Sequence, residues 1–453
     1  EFTMPLEDGQ KQIGGSVIAD FGFELPNDWS IQNTARVMSI RQTWNAVVPF
    51  TFQSFDDLAQ NALTSTPGGA SVDISFVNHE GNPVAESENG LALTAGLWHV
   101  NKPLSDFSNQ LQVKKKVEDH TFTLGTYFGH YTADNFWFWQ NILTDVRNRP
   151  RLLNVAVKDA AGNVIRRLTD NGLQQYGSLY DHGQGNVSIA SLFAGANLKA
   201  SERLLLDIGF RYEHDTFKQA SENTKAFDLI GGTTDAHKGV LWGDGTFKRG
   251  TQDFDEWALS GGANYKVNEN ISVYGRASRG YKMPILDNYL FGPQANLDAE
   301  QLIQGEGGVK VGTPQFGLNA VVYAQQLKDF PSQDARVDPE TGETVFETAF
   351  VGKARTFGAE IEAVVAPAPG LRLNGTFTLQ DPKYTNFIEG GQDFSDNRIR
   401  RIPRVLANLS ASYTREGFTG NINWKFVGQR WANNANNIEL QEFGVLNFGA
   451  SYR

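Results

Sequence analysis

Side chains that alternate between apolar and polar with a period of two recur along this whole chain, and that limits it to an all-β architecture. Leu204, Leu206, Ile208, Phe210 and Tyr212 alternate with Leu205, Asp207, Gly209, Arg211 and Glu213. Trp257, Leu259, Gly261, Ala263 and Tyr265 alternate with Glu256, Ala258, Ser260, Gly262 and Asn264. Leu371, Leu373, Gly375, Phe377 and Leu379 alternate with Arg372, Asn374, Thr376, Thr378 and Gln380. The same rhythm returns at 17–25, 122–128, 316–324, 405–413 and 418–426.

A soluble sandwich also alternates, so the connections have to decide. Tight turns are expected at Pro26–Trp29, Val117–Asp119, Lys199–Glu202, Val267–Asn270, Gly312–Gln315, Ala366–Gly370 and Arg415–Phe418. Between them lie much longer connections: Trp44–Gly90, Phe136–Asp170, Gln219–Thr251, Tyr281–Ala299, Asp381–Pro403 and Arg430–Phe443. Short and long connections take turns, as in a transmembrane antiparallel up-and-down β-barrel with short periplasmic turns and long extracellular loops. Trp29, Trp98, Trp257, Tyr265, Tyr413, Trp424 and Tyr452 are read as its interfacial aromatic belt. Two long connections carry structure of their own: a short helix over Ser54–Leu63, and a hairpin over Arg151–Leu168 turning at Ala160–Asn163.

Composition narrows the function. The formal charge of −11, from 51 acidic and 40 basic residues, argues against a nucleic-acid partner, which needs a basic patch. No apolar run approaches the length of a membrane-spanning helix, whereas a barrel spans with alternating strands and averages out polar. The chain has no cysteine, hence no thiolate metal site, disulfide or thiol nucleophile. Glu1–Gly9 lacks the charged start and apolar core of a secretory signal.

Seven tight turns give roughly 14 strands, and Phe443–Arg453 adds one, for about 15 in all. Bacterial barrels have even counts, so an incomplete barrel is expected. Its edge strands Gln12–Leu25 and Phe443–Arg453 would then lack neighbours, leaving an open, C-shaped barrel or forcing a closure of poor register between the two.

The later half resembles the barrel of TonB-dependent outer-membrane receptors. ISVYGRASRGYKMP (Ile271–Pro284) looks like that family's strand ending in a Gly-aromatic-x-x-Pro step. LDAEQLIQGEGGVKVG (Leu297–Gly312) is similar to the next stretch, with Ala299–Glu300 where the family usually has Pro-Glu. FGLNAVVYAQQLKDF, RTFGAEIEAVVAP, GLRLNGTFTLQDPKY, IPRVLANLSASY and VLNFGASYR follow in the family's order over roughly the last 200 residues. The first half matches mainly in its strand and loop rhythm. The resemblance implies a barrel of about 22 strands, of which residues 1–453 would be a partial barrel domain. An N-terminal plug, a TonB-contacting segment and a final hairpin would lie outside it. It also implies an outer-membrane receptor for a scarce nutrient, an iron-siderophore complex before others. The partners it implies are outer-membrane lipid, the TonB complex through the plug, and a small-molecule ligand such as a ferric siderophore.

Candidate site residues are few. Phe136–Trp139 (FWFW) reads either as an aromatic platform for ligand, with Trp137, Phe138 and Trp139 as contacts, or as girdle and loop packing, the commoner use. Arg276, Arg279 and Lys282 either draw an anionic chelate inward or pair with interior carboxylates, the more ordinary arrangement. The seven histidines (His79, His99, His120, His130, His182, His214, His237) are scattered, with His120 and His130 near opposite ends of one strand. No metal site is therefore expected. Asp334–Thr344, holding Asp338, Glu340 and Glu343, lacks calcium-loop spacing and reads as a hairpin tip, and Asp181–Gly185 (DHGQG) reads as loop punctuation. No catalytic constellation or cofactor motif stands out, so the chain is not read as an enzyme. A passive porin-like channel, an importer of carbohydrate or another non-iron ligand, and an adhesin remain as alternative functions.

Overall fold

The computed structural model describes residues 5–78, 90–286, 298–337, 344–389 and 392–453. Fifteen strands form one antiparallel sheet in which each strand pairs with its neighbours in sequence. They are β1 (Gln10–Leu25), β2 (Trp29–Ser54), β3 (Leu91–Val117), β4 (His120–Asp145), β5 (Leu173–Lys199), β6 (Leu204–Phe227), β7 (Val240–Lys266) and β8 (Ile271–Lys282). The series continues with β9 (Glu300–Gly312), β10 (Phe316–Val337), β11 (Thr344–Ala368), β12 (Leu371–Asn386), β13 (Val405–Arg415), β14 (Phe418–Val427) and β15 (Phe443–Tyr452). The two edges, β1 and β15, do not pair with each other, so the sheet is open rather than forced shut.

Every expected tight turn is found. Asn27 and Asp28 hold positive φ at the first, and Glu416 with Gly417 does so at the last. Such angles suit Asn, Asp and Gly in two- and three-residue hairpin loops.

The strands run further than the alternation indicates. β2 to β7 span 24 to 27 residues each, continuing to Ser54, Asp145 and Phe227 where the sequence reading placed loop. A spanning strand needs only about 10 residues, so each has a second half standing clear of the bilayer. That half escaped notice because its greasy side changes faces. Near the short turns, one row across six strands reads Ile31, Val113, Leu124, Ala194, Phe210 and Leu259, all on the outward face. The residues between them, among them Arg211, Glu213 and Glu256, look inward. Above the Tyr212–Trp257 pair the outward rows turn polar: Ser39, Ser105, Thr132, Asn186, Lys218 and Thr251. At that level the apolar side chains point inward instead. Val187 and Phe217 pack there with Ala133, Phe254 and Leu286.

A small cap is built from two of the long connections. Ser54 caps helix α1 (Phe55–Thr64) by accepting a hydrogen bond from the Asp57 N–H at 3.0 Å. The hairpin Leu153–Lys158/Val164–Arg167 is joined by Ser71–Phe76, a strand the sequence reading left inside a loop. Leu58, Ala62, Leu143, Leu153, Val155 and Val157 form its core. Arg166 then ties the cap to a third connection through Asp235 at 2.5 Å, and also donates to Ser65 O and Thr66 Oγ1.

Candidate functional site, an indole-lined wall above the membrane

The FWFW segment lies in the upper half of β4. Trp137 stands roughly 55 Å along the strand from the short turn at ~3.3 Å per residue. With a tilt of about 40° this puts it above an apolar band about 25 Å tall. The segment is therefore not girdle. Strand alternation also splits it: Trp137 and Trp139 look inward, while Phe136 and Phe138 look outward.

The inward pair joins two further indoles. Trp98 of β3 lies 5.0 Å from Trp137 and 5.1 Å from Trp139, both edge-on, and Trp44 of β2 lies 4.7 Å from Trp98. Phe50 closes on Trp139 at 5.1 Å. These are the separations at which aromatic rings attract each other beyond simple burial. Trp98, read from the sequence as belt, belongs to this cluster. Trp29, Tyr265, Tyr413 and Tyr452 do lie beside short turns, and Trp257 marks the upper edge of the apolar band.

The outward pair has a different role. Phe138 is 3% exposed and packs edge-on against Trp242, while Phe136 contacts Tyr180, His182 and Trp242. Beside them Glu222 accepts hydrogen bonds from Tyr180 and the Gly245 N–H, and bonds His182 Nδ1 at 2.7 Å. This is structural packing on the outer wall. Of the three aromatic ligand contacts expected, Phe138 thus faces away from the other two.

Asp181 was missed. The DHGQG run is not a loop but the middle of β5, with Asp181 paired beside Trp137 on the inward face. Asp181 is 5% exposed, its Oδ2 has no hydrogen-bond partner among the described residues, and burial pushes its pKa up to about 8. Gly185 of the run has a packing purpose: a Cβ there would stand 2.7 Å from Lys218 O and 3.0 Å from Leu286. No signal in the run itself marked the aspartate; only the register beside Trp137 does.

The basic candidates are all engaged. Arg279 lies 2.9 Å from Glu256 and covers the Trp257 ring at 4.0 Å. Lys282 sits 2.7 Å from Glu300, and Arg276 reaches Asp207 at 3.9 Å. None of them stands with the indole cluster.

Other sequence candidates do not converge. His130 is in the middle of β4 rather than near its end, and bonds Ser188 Oγ at 3.0 Å; His99 bonds Asn45 Oδ1 at 2.7 Å. His79 and the tip bearing Asp338, Glu340 and Glu343 fall outside the described residues. Among the described residues no three His, Asp or Glu side chains are grouped to hold a metal ion. A cleft of about 670 Å³ opens at Ser39, Ser105, Thr132, Asn186, Lys218 and Thr251, but these look outward, so it is no part of the interior. Further along the sheet, Phe330, Tyr384 and Phe387 stack with planes within 21° of each other, and Tyr384 donates to Asn434 Oδ1 at 2.9 Å. That stack fastens the last two long connections together.

Comparison with known proteins agrees with this architecture. The family model described as "TonB dependent receptor-like, beta-barrel" matches residues 8–453. Among curated proteins, the ferrichrome outer membrane transporter/phage receptor of Escherichia coli K12 is 23% identical over 363 residues, covering 76% of this chain and 42% of its own length. Among solved structures, the closed form of the ferric-catecholate import receptor Fiu from Escherichia coli K12 gives a TM-score of 0.64 at 15% identity, covering 98% of this chain and 58% of that one. The ferric preacinetobactin receptor BauA of Acinetobacter baumannii gives 0.59 at 15% identity, covering 97% and 55%. These likenesses to structures concern the fold. The chain thus spans less than half the length of its curated relative, and it belongs to the TonB-dependent receptor β-barrel family of the bacterial outer membrane.

Proposed function

We propose that this barrel is the wall and extracellular vestibule of a receptor that takes up an iron-siderophore complex, driven by the TonB complex acting through a plug domain. The observation that carries the reading is the inward wall of Trp44, Trp98, Trp137 and Trp139, placed above the apolar band within a receptor barrel of this family. Large aromatic faces give a small ligand broad apolar contact at little cost in ordering, because indole has few torsions. The cap over α1 and its three-stranded sheet fastens long connections that would otherwise have to be ordered when ligand binds. The curated relative is named a ferrichrome transporter and the solved neighbours are named ferric-chelate receptors, which supports iron-siderophore over other nutrients. Within this division of labour the chain supplies binding and containment, not chemistry.

The test is radioiron uptake in a strain deleted for the gene and complemented with the full-length protein, in TonB-positive and TonB-negative backgrounds. Uptake of at least one ferric chelate should depend on both the protein and TonB. A Trp98→Ala, Trp137→Ala double variant, at equal surface abundance, should raise the half-saturating concentration about a hundredfold if each indole contributes about 1.5 kcal/mol. Equal uptake by deleted and complemented strains on every chelate defeats the reading. Uptake that persists without TonB would make the barrel a passive channel.

A further inference from the structure

We propose that this vestibule admits chelates carrying no net negative charge, neutral or cationic, and that the indole wall with Asp181 is the surface that discriminates. The inference rests on the uptake function proposed above and adds the charge class of the ligand.

Three observations converge on it. The first is the wall itself. The faces of indole rings carry negative electrostatic potential, attracting cations and repelling anions. Four such rings gather at one place on the inner surface, with ring separations of 4.7 to 5.1 Å. The second is Asp181, on the same face beside Trp137, with Oδ2 buried and without a hydrogen-bond partner among the described residues. A carboxyl group at the foot of an aromatic wall is an arrangement that recognises an ammonium or a hydrogen-bond donor. Among the described residues, the inward positions of this stretch of β2 to β5 include one basic side chain, Lys102, and it already takes part in an interaction.

The third observation concerns the rest of the interior. Three inward cations of the neighbouring strands have a carboxylate in contact: Arg36 with Asp106 at 2.8 Å, Arg276 with Asp207 at 3.9 Å, and Arg211 with Glu213, while Lys248 faces inward on β7 rather than on the strands that carry the wall. A polyanionic chelate meeting this wall would give up its hydration against ring faces and a carboxyl group, with Lys102 the one basic side chain among the described inward residues beside them. The acidic balance of the chain, −11 overall, adds a field of the same sign. A neutral chelate loses little on the same path, and one bearing an amine gains the ring faces and Asp181.

The experiment compares three iron chelates in the complemented strain: a neutral ferric trihydroxamate, a ferric trihydroxamate bearing a free amine, and a trianionic ferric tris-catecholate. Half-saturating concentrations of the first two should be at least about tenfold lower than that of the third. Asp181→Asn should raise the value for the amine-bearing chelate about tenfold while leaving the neutral one unchanged, a split that a merely structural loss would not produce. The wild-type ranking is decisive if the variant fails to reach the surface. Tris-catecholate uptake equal to or better than that of the hydroxamates overturns the charge selection and leaves iron uptake standing. Import of none of the three, with another nutrient imported instead, overturns the uptake function and this inference together.

Discussion

The lower and upper halves of the same strands obey opposite solvation rules. In β6, Ile208, Phe210 and Tyr212 point outward in the lower half, while Arg211 and Glu213 point inward. A few residues higher, Thr216 and Lys218 point outward and Phe217 inward, fully buried. β7 repeats this, with Trp257 and Leu259 outward below and Phe254 inward above. The backbone ladder is continuous through the change, so the hydrogen-bonded sheet is indifferent to it. What switches is the solvent: lipid outside below, water outside above. The upper edge of the bilayer can thus be read from where the apolar side chains change faces.

The comparison breaks most sharply at Phe217. It is 1% exposed and packs with Val187, Phe254 and Leu286, so Phe217→Ala should cost about 3–5 kcal/mol, as for other buried aromatic deletions. Phe210→Ala, on the outward face in fluid lipid, should cost only about 2 kcal/mol, the lost transfer term, because lipid refills the space and leaves no cavity. Equilibrium unfolding of the full-length protein in bilayers would measure both, and equal costs would mean that the upper half is not a packed core.

A charge makes the complementary test. Phe210→Arg places a guanidinium at the outward face of the apolar band and should destabilise by about 2–4 kcal/mol. Thr216→Arg, three positions higher on the same face, should change stability by less than about 0.5 kcal/mol. If both cost the same, the change of faces does not mark the bilayer edge.

The unequal legibility of the two halves has this same cause. Where one face meets lipid and the other water, alternation is strong, and the turns at Asn27–Asp28 and Glu416–Gly417 punctuate it; β1, β13 and β14 could be bounded from the chain alone. Above the switch the outward face is polar and the inward face mixes Trp98, Val100 and Leu104 with Lys102, so the contrast fades and the strand looks like loop. DHGQG was misread for a related reason. Glycine in a strand resembles punctuation, yet at Gly185 it admits Leu286 to the backbone. The candidate site was half visible. Trp137 and Trp139 drew attention as a local cluster, whereas Trp44, Trp98 and Asp181 join them through pairings distant in sequence. Arg279 and Lys282 were singled out by charge, and only the structure shows Glu256 and Glu300 against them.

Asp181 sharpens the comparison through pH. Burial raises its folded pKa to about 8 from an ordinary value near 3.8. The folded protein therefore holds a proton that the unfolded chain releases, and its advantage is complete below pH ~4 and is lost as pH rises through ~8. Asp181→Asn keeps a neutral side chain of the same shape at every pH. The variant should match the wild type near pH 4 and exceed it by about 2 kcal/mol at pH 9, within a ceiling of about 6 kcal/mol for a shift of this size. Unfolding midpoints across that range provide the measurement. A difference independent of pH would mean that the carboxyl titrates normally in a hydrated site.

The smallest expected effect belongs to the cap, which is a third environment with water on most sides. Arg166 joins it to the connection bearing Asp235 at 2.5 Å and also donates to Ser65 and Thr66. Its side chain is 31% exposed, so solvent screens the ion pair and Arg166→Ala should cost about 1 kcal/mol, felt locally. Global unfolding should not register it, because the ladders below are untouched. Amide exchange in α1 and in the strand Ser71–Phe76 should instead accelerate about fivefold, the factor that ~1 kcal/mol gives in a local opening equilibrium. Lys158, which reaches Asp73 at 3.0 Å within the cap sheet, supplies the control. Lys158→Ala should loosen the sheet without freeing the Asp235 connection, whereas Arg166→Ala should loosen both. If the two variants give the same exchange pattern, the cap and that connection already move as separate bodies, and Arg166 is not the tie between them.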